Sequence, residues 1–198
     1  MPRPVKTLIE ELTKLGAKSK DDYIPEDRGI FAEMREATNL GLIRCAERGE
    51  DGKWTVNVWF KQALLAGFRL GQIYETDGVG RTTFFAKHTL PPRSLYMTNK
   101  VRVVPGCNSI RDGSYIGEGV VMMPPSYINI GCYVGAGTMV DSHALVGSCA
   151  QVGERVHLSA AAQIGGVLEP VGAMPVIIED DVMVGGNCGI YEGTIVRR

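Results

Sequence analysis

The chain has 198 residues, 44% of them hydrophobic and 22% charged, with a net charge of −1 and glycine at 25 positions. That balance excludes a strongly basic surface built for nucleic acid, and no apolar run is long enough to span a membrane. Glycine is well above its usual share of roughly 7%, yet it is scattered among Val and Ile, which argues for many tight corners rather than disorder.

The opening segment, MPRPVKTLIEELTKLG, is amphipathic and acidic by its second turn. It reads as a helix over residues 4–15 with Leu8, Leu12 and Leu15 on one face, and not as a signal peptide. A second helix is expected over 26–40, between Pro25 and Gly41. Leu42–Arg48 alternates enough for a strand, GEDGK reads as a turn, and Trp54 opens the next segment. Val58–Phe68 (VWFKQALLAGF) is a candidate buried helix, and residues 69–100 read as short strands and loops. Residues 1–100 are therefore expected to form a small α-rich N-terminal cap domain. Cys45, Cys107, Cys132, Cys149 and Cys188 show no CxxC spacing, which points to reduced thiols in a cytoplasmic protein rather than a disulfide framework or a zinc site.

Beyond residue 100 a period of six appears. Ile110, Ile116, Met122, Ile128, Val134, Val140, Val146, Val152, Leu158 and Ile164 stand at six-residue steps, all aliphatic. Chance would give about half that. Four places after each, from Ile116 on, stands a small or β-branched residue: Val120, Ser126, Cys132, Thr138, Ala144, Ala150, Val156 and Ala162. Gly117, Gly135, Gly147, Gly153 and Gly165 directly follow their aliphatic residue, and glycine there reads as relief of backbone strain at a corner. The pattern breaks over 165–177 and resumes at Ile178, Val184, Ile190 and Val196, with Val182, Cys188 and Thr194 as the small partners.

A period of six fits neither a helix nor a simple alternating strand. It fits a hexapeptide β-helix in which three hexads make one coil, with the large aliphatic residue and its small partner turned inward. The expected fold is mainly β: a parallel β-helix over 101–198, interrupted by an inserted loop at 165–177 and preceded by the α-rich cap of 1–100. Excursions of that kind are often functional, and this one, with Glu169 near its tip, is expected to reach over a neighbour's cleft.

Hexapeptide coils resemble the left-handed β-helix acyltransferases, which implies a homotrimer with active sites between subunits. Longer strings narrow the resemblance. GLIRCAERGEDGKWTVNVWFKQALL, VRVVPG, MPPSYINIGCYVGAGTMVDSHALVGSCAQVG, VHLSAAAQIGGVLEPVGAMPVIIEDDVMVGG and YEGTIV together resemble the 2,3,4,5-tetrahydropyridine-2,6-dicarboxylate N-succinyltransferases of lysine biosynthesis, over nearly the whole chain. The resemblance implies succinyl transfer from succinyl-CoA, as co-substrate, to the amine of the opened ring, giving N-succinyl-2-amino-6-oxopimelate and CoA. It implies no metal, no tightly bound cofactor, a cytoplasmic setting, and no nucleic-acid or membrane partner. A related acyltransferase using acetyl-CoA or another amine, or a non-catalytic trimeric scaffold, are the alternatives. Family chains continue with further coils past Val196-Arg197-Arg198, so the chain reads as C-terminally truncated.

Asp141 follows Val140 and is expected to point outward, where a carboxylate can bind an ammonium and accept its proton. By spacing alone a solvated turn aspartate fits equally well; the family's substrate-binding Asp matches this position in GTMVD. Arg102 in VRVVPG matches the family's substrate-binding Arg, and a guanidinium fork suits a dicarboxylate; a surface ion pair is the alternative. Ser148 is a candidate polar contact to substrate, with Cys149 beside it as packing. Glu192 in YEGTIV is a further candidate catalytic carboxylate. Family members often carry a Glu three residues earlier, where this chain has Gly189. Arg111 and Arg155 read as surface or intersubunit contacts. His143 and His157 count as outward, and packing or an interface is the preferred reading for both. A zinc site on the three histidines is disfavoured by their spacing. No CoA-binding residue is identifiable, since no Gly-rich loop precedes a helix.

Overall fold

A computed structural model describes residues 3–76 and 83–198. Three helices open the chain: α1 (Val5–Ala17), α2 (Asp27–Asn39) and α3 (Val58–Leu70). Leu8, Leu12 and Leu15 of α1 are buried as their spacing predicts, against Phe31 and Met34 of α2 and Phe60 and Leu64 of α3. Between α2 and α3 runs an antiparallel hairpin, β1 (Ala46–Arg48) and β2 (Trp54–Val56), with GEDGK in its turn. A second hairpin pairs β3 (Ile73–Thr76) with β4 (Phe84–Lys87).

The strand expected from Leu42 begins only at Ala46. Residues 42–45 spend their hydrogen bonds elsewhere. Gly41 takes a left-handed φ of 71°, and the Leu42 N–H closes the end of α2 on the Ala37 carbonyl at 2.9 Å. Asn57 then ties both its backbone N–H and its side-chain amide to this segment, at the Cys45 and Arg44 carbonyls.

From Arg102 the chain winds into a prism of three parallel five-stranded sheets. The first face stacks Arg102–Val103, Val121–Met122, Met139–Val140, His157–Leu158 and Met183–Val184. The second stacks Ser109–Ile110, Tyr127–Ile128, Leu145–Val146, Gln163–Ile164 and Gly189–Ile190. The third stacks Tyr115–Ile116, Tyr133–Val134, Gln151–Val152, Ile177–Ile178 and Ile195–Val196. Tyr133 pairs with Tyr115 and Gln151, each eighteen residues away, so one coil is three hexads. This is the expected left-handed parallel β-helix.

The hexad aliphatic residues from Ile110 to Ile164, then Ile178 and Val184, fill the prism with their small partners. Polar partners are satisfied inside: the Thr138 hydroxyl donates to the Gly153 carbonyl at 2.8 Å. Cys188 and Thr194 depart from the expected interior role and are exposed, because they lie on the last described coil with no coil above them.

The glycines next to the aliphatic residues have a different purpose from the one expected. The strained position is the third residue after each aliphatic, where His143, Cys149, Arg155, Ala161, Asp181 and Asn187 all have φ between 53° and 67°. Gly147 is instead a place of close backbone approach. A Cβ there would stand 2.3 Å from the Gly166 nitrogen of the next coil. Glycine permits the coils to touch at this corner.

The cap docks on the third face. Arg44 Nε donates to Gln151 Oε1 at 2.8 Å, and its guanidinium lies 3.7 Å above the Tyr133 ring, itself stacked on Tyr115. Burial lowers the Arg44 pKa and raises that of Tyr133. Arg35 pairs with Asp112, and Asn39 donates to the same carboxylate at 2.6 Å. Ile130 and Cys149 of the prism belong to the cap's buried cluster, so the two regions share a core. The 165–177 excursion packs on its own cap. Lys61 of α3 is fully buried and donates to the Ala173 carbonyl at 2.6 Å, while Leu168 packs on the cap cluster and Glu169 stays exposed. No described helix is long and apolar enough to cross a membrane.

Candidate functional site

Docking of the cap leaves the first and second faces, and the edge between them, open. Asp141, Ser142 and His143 form that edge on one coil. The Asp141 N–H donates to the Leu158 carbonyl at 3.0 Å, which locks its backbone to the coil above. Its side chain turns outward, 30% exposed, as the hexad count predicts. Oδ1 accepts the Ser142 N–H at 2.7 Å, and Oδ2 faces His157 Nε2 at 3.7 Å. His143 is exposed in the left-handed corner and lines a shallow groove of about 300 Å³ along the second face, with Cys107, Ser109, Tyr127 and Leu145.

Arg102 is exposed in the first strand of the first face. It lies in the outward column that continues through Val121, Met139, His157 and Met183. Two strand spacings, about 10 Å, separate it from the Met139 position. Arg102 and His157 therefore share the first face, and Asp141 stands at its edge with the second. Ser148 and Glu192 occupy the next edge, between the second and third faces. They stand in one column separated by Gly166, with Ser148 half-buried and Glu192 exposed. Gly189 lies in the outward column of the second face, above Gln163. A Cβ at Gly189 would meet the Tyr191 hydroxyl at 2.6 Å, so a phenol covers the place.

The remaining candidates make contacts within the chain. Arg111 donates to the Tyr127 hydroxyl and the Leu90 carbonyl, and Arg155 pairs with Asp181 and Glu154. The Cys149 thiol is pushed well above its ordinary pKa, first by its hydrogen bond with Cys45 and then by burial, which leaves it inert as a nucleophile. Among the described residues no three His, Cys, Asp or Glu side chains come together as a metal site. The deeper cleft, about 450 Å³, lies between the β1–β2 hairpin and the prism, lined by Arg44, Arg48, Trp54, Tyr133, Glu179 and Asp180. It contains none of the four expected site residues; its Glu179 serves the docking seam, accepting from Trp54 at 3.2 Å, and its Asp180 accepts the Glu154 N–H within the prism.

Residues 4–70 match the family model described as "Tetrahydrodipicolinate N-succinyltransferase N-terminal". Along the rest of the chain the curated relatives carry the likeness. A 2,3,4,5-tetrahydropyridine-2,6-dicarboxylate N-succinyltransferase of Polynucleobacter asymbioticus is 42% identical over 205 aligned residues, covering 100% of this chain and 73% of the relative. The chain belongs to this succinyltransferase family. Relatives of the same name from Chelativorans sp. and Paramagnetospirillum magneticum are 41% and 48% identical, over 96% and 87% of this chain and 69% and 62% of their own lengths. The chain thus spans about two thirds of the length of these family members.

Within the family's fold, the approach of His157 to Asp141 is the feature that reading the hexads one at a time missed. A signal for it was present. His157 stands eighteen residues after Met139, one coil on, so the register already places it diagonally above Asp141.

Proposed function

We propose that the chain transfers the succinyl group of succinyl-CoA to the amine of the opened tetrahydropyridine dicarboxylate, giving the N-succinyl amino-oxo diacid and free CoA. The observation that carries this reading is 42% identity along the whole chain to an enzyme of that name. The open edge at Asp141 supports it with suitable chemistry. Asp141 pairs with the substrate ammonium and accepts a proton as the amine attacks the thioester carbonyl. The N–C bond forms, the C–S bond breaks, and the thiolate leaves to be protonated. The Arg102 fork binds a substrate carboxylate on the same face. Ser148 supplies a polar contact and Glu192 a second carboxylate. Both stand on the neighbouring edge, so they meet the same substrate only if a second copy of the chain completes the site.

A homotrimer with shared sites is accordingly part of the proposal. So are a cytoplasmic setting and the division into a cap of 1–100 and a catalytic prism of 101–198 with its inserted loop at 165–177. Succinyl-CoA is a co-substrate in this reading, and no resident cofactor takes part. Thiol release from succinyl-CoA, with and without 2-aminopimelate as a stable stand-in for the opened ring, tests it. Amine-dependent release is expected, and Asp141→Ala should lower it about 10²- to 10⁴-fold with an unchanged melting temperature. Release that ignores the amine, or full activity in the variant, would overturn it.

A further inference from the structure

Most of the charged side chains that line the cleft of about 450 Å³ between the β1–β2 hairpin and the prism have ionic partners. Arg48 Nη1 faces Glu179 at 3.9 Å, Glu154 pairs with Arg155 at 2.7 Å, and Arg198 with Asp181 at 3.3 Å. Arg44 and Asp180 are left over among the described residues. The Arg44 cation is held in place without a bonded anion. Its Nε donates to Gln151 at 2.8 Å, and its guanidinium carbon lies 3.7 Å from the Tyr133 ring centroid and 5.5 Å from that of Trp54. Its Nη atoms bond to no described residue and are not enclosed, so they open on the cleft. Burial lowers the Arg44 pKa, and the opposing pull of Tyr133, Glu47 and Asp180 acts only through space. A half-buried cation with no bonded anion is costly. A guanidinium fixed through Nε offers its remaining N–H groups as a fork for a carboxylate.

Asp180 stands at the edge between the third and first faces, one coil above Glu154. Its Oδ1 accepts the Glu154 N–H at 2.8 Å, which fixes the carboxylate. Its Oδ2 has no partner among the described residues, and the side chain is exposed. A cation and a carboxylate, each anchored through one atom and free at another, thus share a single cleft. Their complement is a zwitterion. A phosphate or a dicarboxylate would meet the negative charge of Glu179 and Asp180 in the same space. A free α-amino acid carries the two opposite charges on neighbouring atoms, and a cleft of this volume has room for its side chain as well. The other charges of the lining are already paired, so a charged side chain finds no counterion there, whereas an uncharged one can lie against the half-buried Trp54 ring.

We propose that this cleft binds a free α-amino acid with an uncharged side chain, its carboxylate on the Nη atoms of Arg44 and its ammonium on Oδ2 of Asp180. The ligand bridges the two regions of the molecule, because Arg44 belongs to the cap and Asp180 to the prism. Bound ligand therefore favours the docked cap and stabilises the folded chain in step with its concentration. The site goes beyond the transfer reaction. None of Arg102, Asp141, Ser148 and Glu192 lines the cleft, so the binding stands whether or not the chain transfers succinyl groups.

Calorimetric titration and proton–nitrogen NMR of the indole groups test it, with L-leucine and L-methionine as probes. Saturable binding at millimolar concentration or below is expected. The Trp54 indole N–H, which donates to Glu179 beside the site, should shift on titration while that of Trp59 stays in place. N-acetyl-L-leucine lacks the ammonium, L-leucine amide lacks the carboxylate, and inorganic phosphate carries only negative charge; none of the three should bind. Asp180→Asn keeps an oxygen for the Glu154 N–H and removes the charge. It should lower the affinity for L-leucine about ten-fold or more, with an unchanged melting temperature of the unliganded protein. No saturable binding of either probe, a silent Trp54 signal, equal binding of any of the three controls, or full affinity in Asp180→Asn would overturn the proposal.

Discussion

In the prism, Met122, Val140 and Leu158 lie one above another because their strands are registered by a fixed repeat. In the cap, Leu12, Phe31 and Phe60 meet from three helices that share no repeat. The first arrangement is quasi-one-dimensional, each coil resting on its neighbours, and the spacing of backbones limits it. The second is a cluster of side chains whose shapes must fit, and it is finished only by Ile130 and Cys149 from the prism. The two regions should therefore fail in different ways.

The largest expected effect tests the backbone limit. Gly147→Val would drive a Cβ to 2.3 Å from the Gly166 nitrogen, and no side-chain movement relieves a clash with backbone. The coils cannot close, and the expected outcome is loss of soluble folded protein, read by expression and circular dichroism. A folded variant with a wild-type melting temperature would show that the coils can part without cost.

The seam between the regions comes next. Arg44→Met keeps much of the apolar stem and removes the bond to Gln151 and the stacking on Tyr133. A charged hydrogen bond of this kind contributes about 1.5–3 kcal/mol. Urea unfolding should shift by about that much, and the fluorescence of Trp54 and Trp59, both in the cap, should begin to change before the far-ultraviolet signal of the prism. Coincident, unshifted transitions would mean that the cap is held by its apolar contacts alone.

The smallest effect is electrostatic. The hydrogen bond from Arg155 holds the Asp181 carboxyl below its ordinary pKa. A carboxylate whose pKa is depressed by folding stabilises the native state above its unfolded pKa, and that contribution fades as pH falls through the lowered native value. Both side chains are well solvated, so the contribution is small. Asp181→Asn should melt slightly below wild type at neutral pH and level with it in acid, in melting curves recorded across pH. A gap that widens in acid would contradict the pairing.

Much of this molecule was legible before its structure. The hexad residues from Ile110 to Ile164, and again Ile178 and Val184, predicted which side chains are buried, because within each run neighbours are separated by the same short span of chain. The three helices were legible for a similar reason, their apolar spacing matching the helical turn. The strand expected from Leu42 starts late because alternation says nothing about competing hydrogen-bond partners, and Asn57 and the end of α2 claim that segment. The glycines mark corners as expected, but their cause is contact between coils, which is not visible along a single hexad. At the candidate site, the outward direction of Asp141 followed from the count, while the division of Arg102 and Asp141 from Ser148 and Glu192 needed the faces to be assembled.

A repeat is local information multiplied, so the amino-acid sequence by itself determined the coil of eighteen residues, the inward set and the position of Asp141 on an edge. Only the tertiary structure decided that the cap covers the third face through Arg44, that the inserted loop turns back onto Lys61, and that Nε2 of His157 stands enclosed before Asp141. Those contacts join parts of the chain that share no period, and they are settled by shape, burial and the demand that each enclosed polar group find a partner.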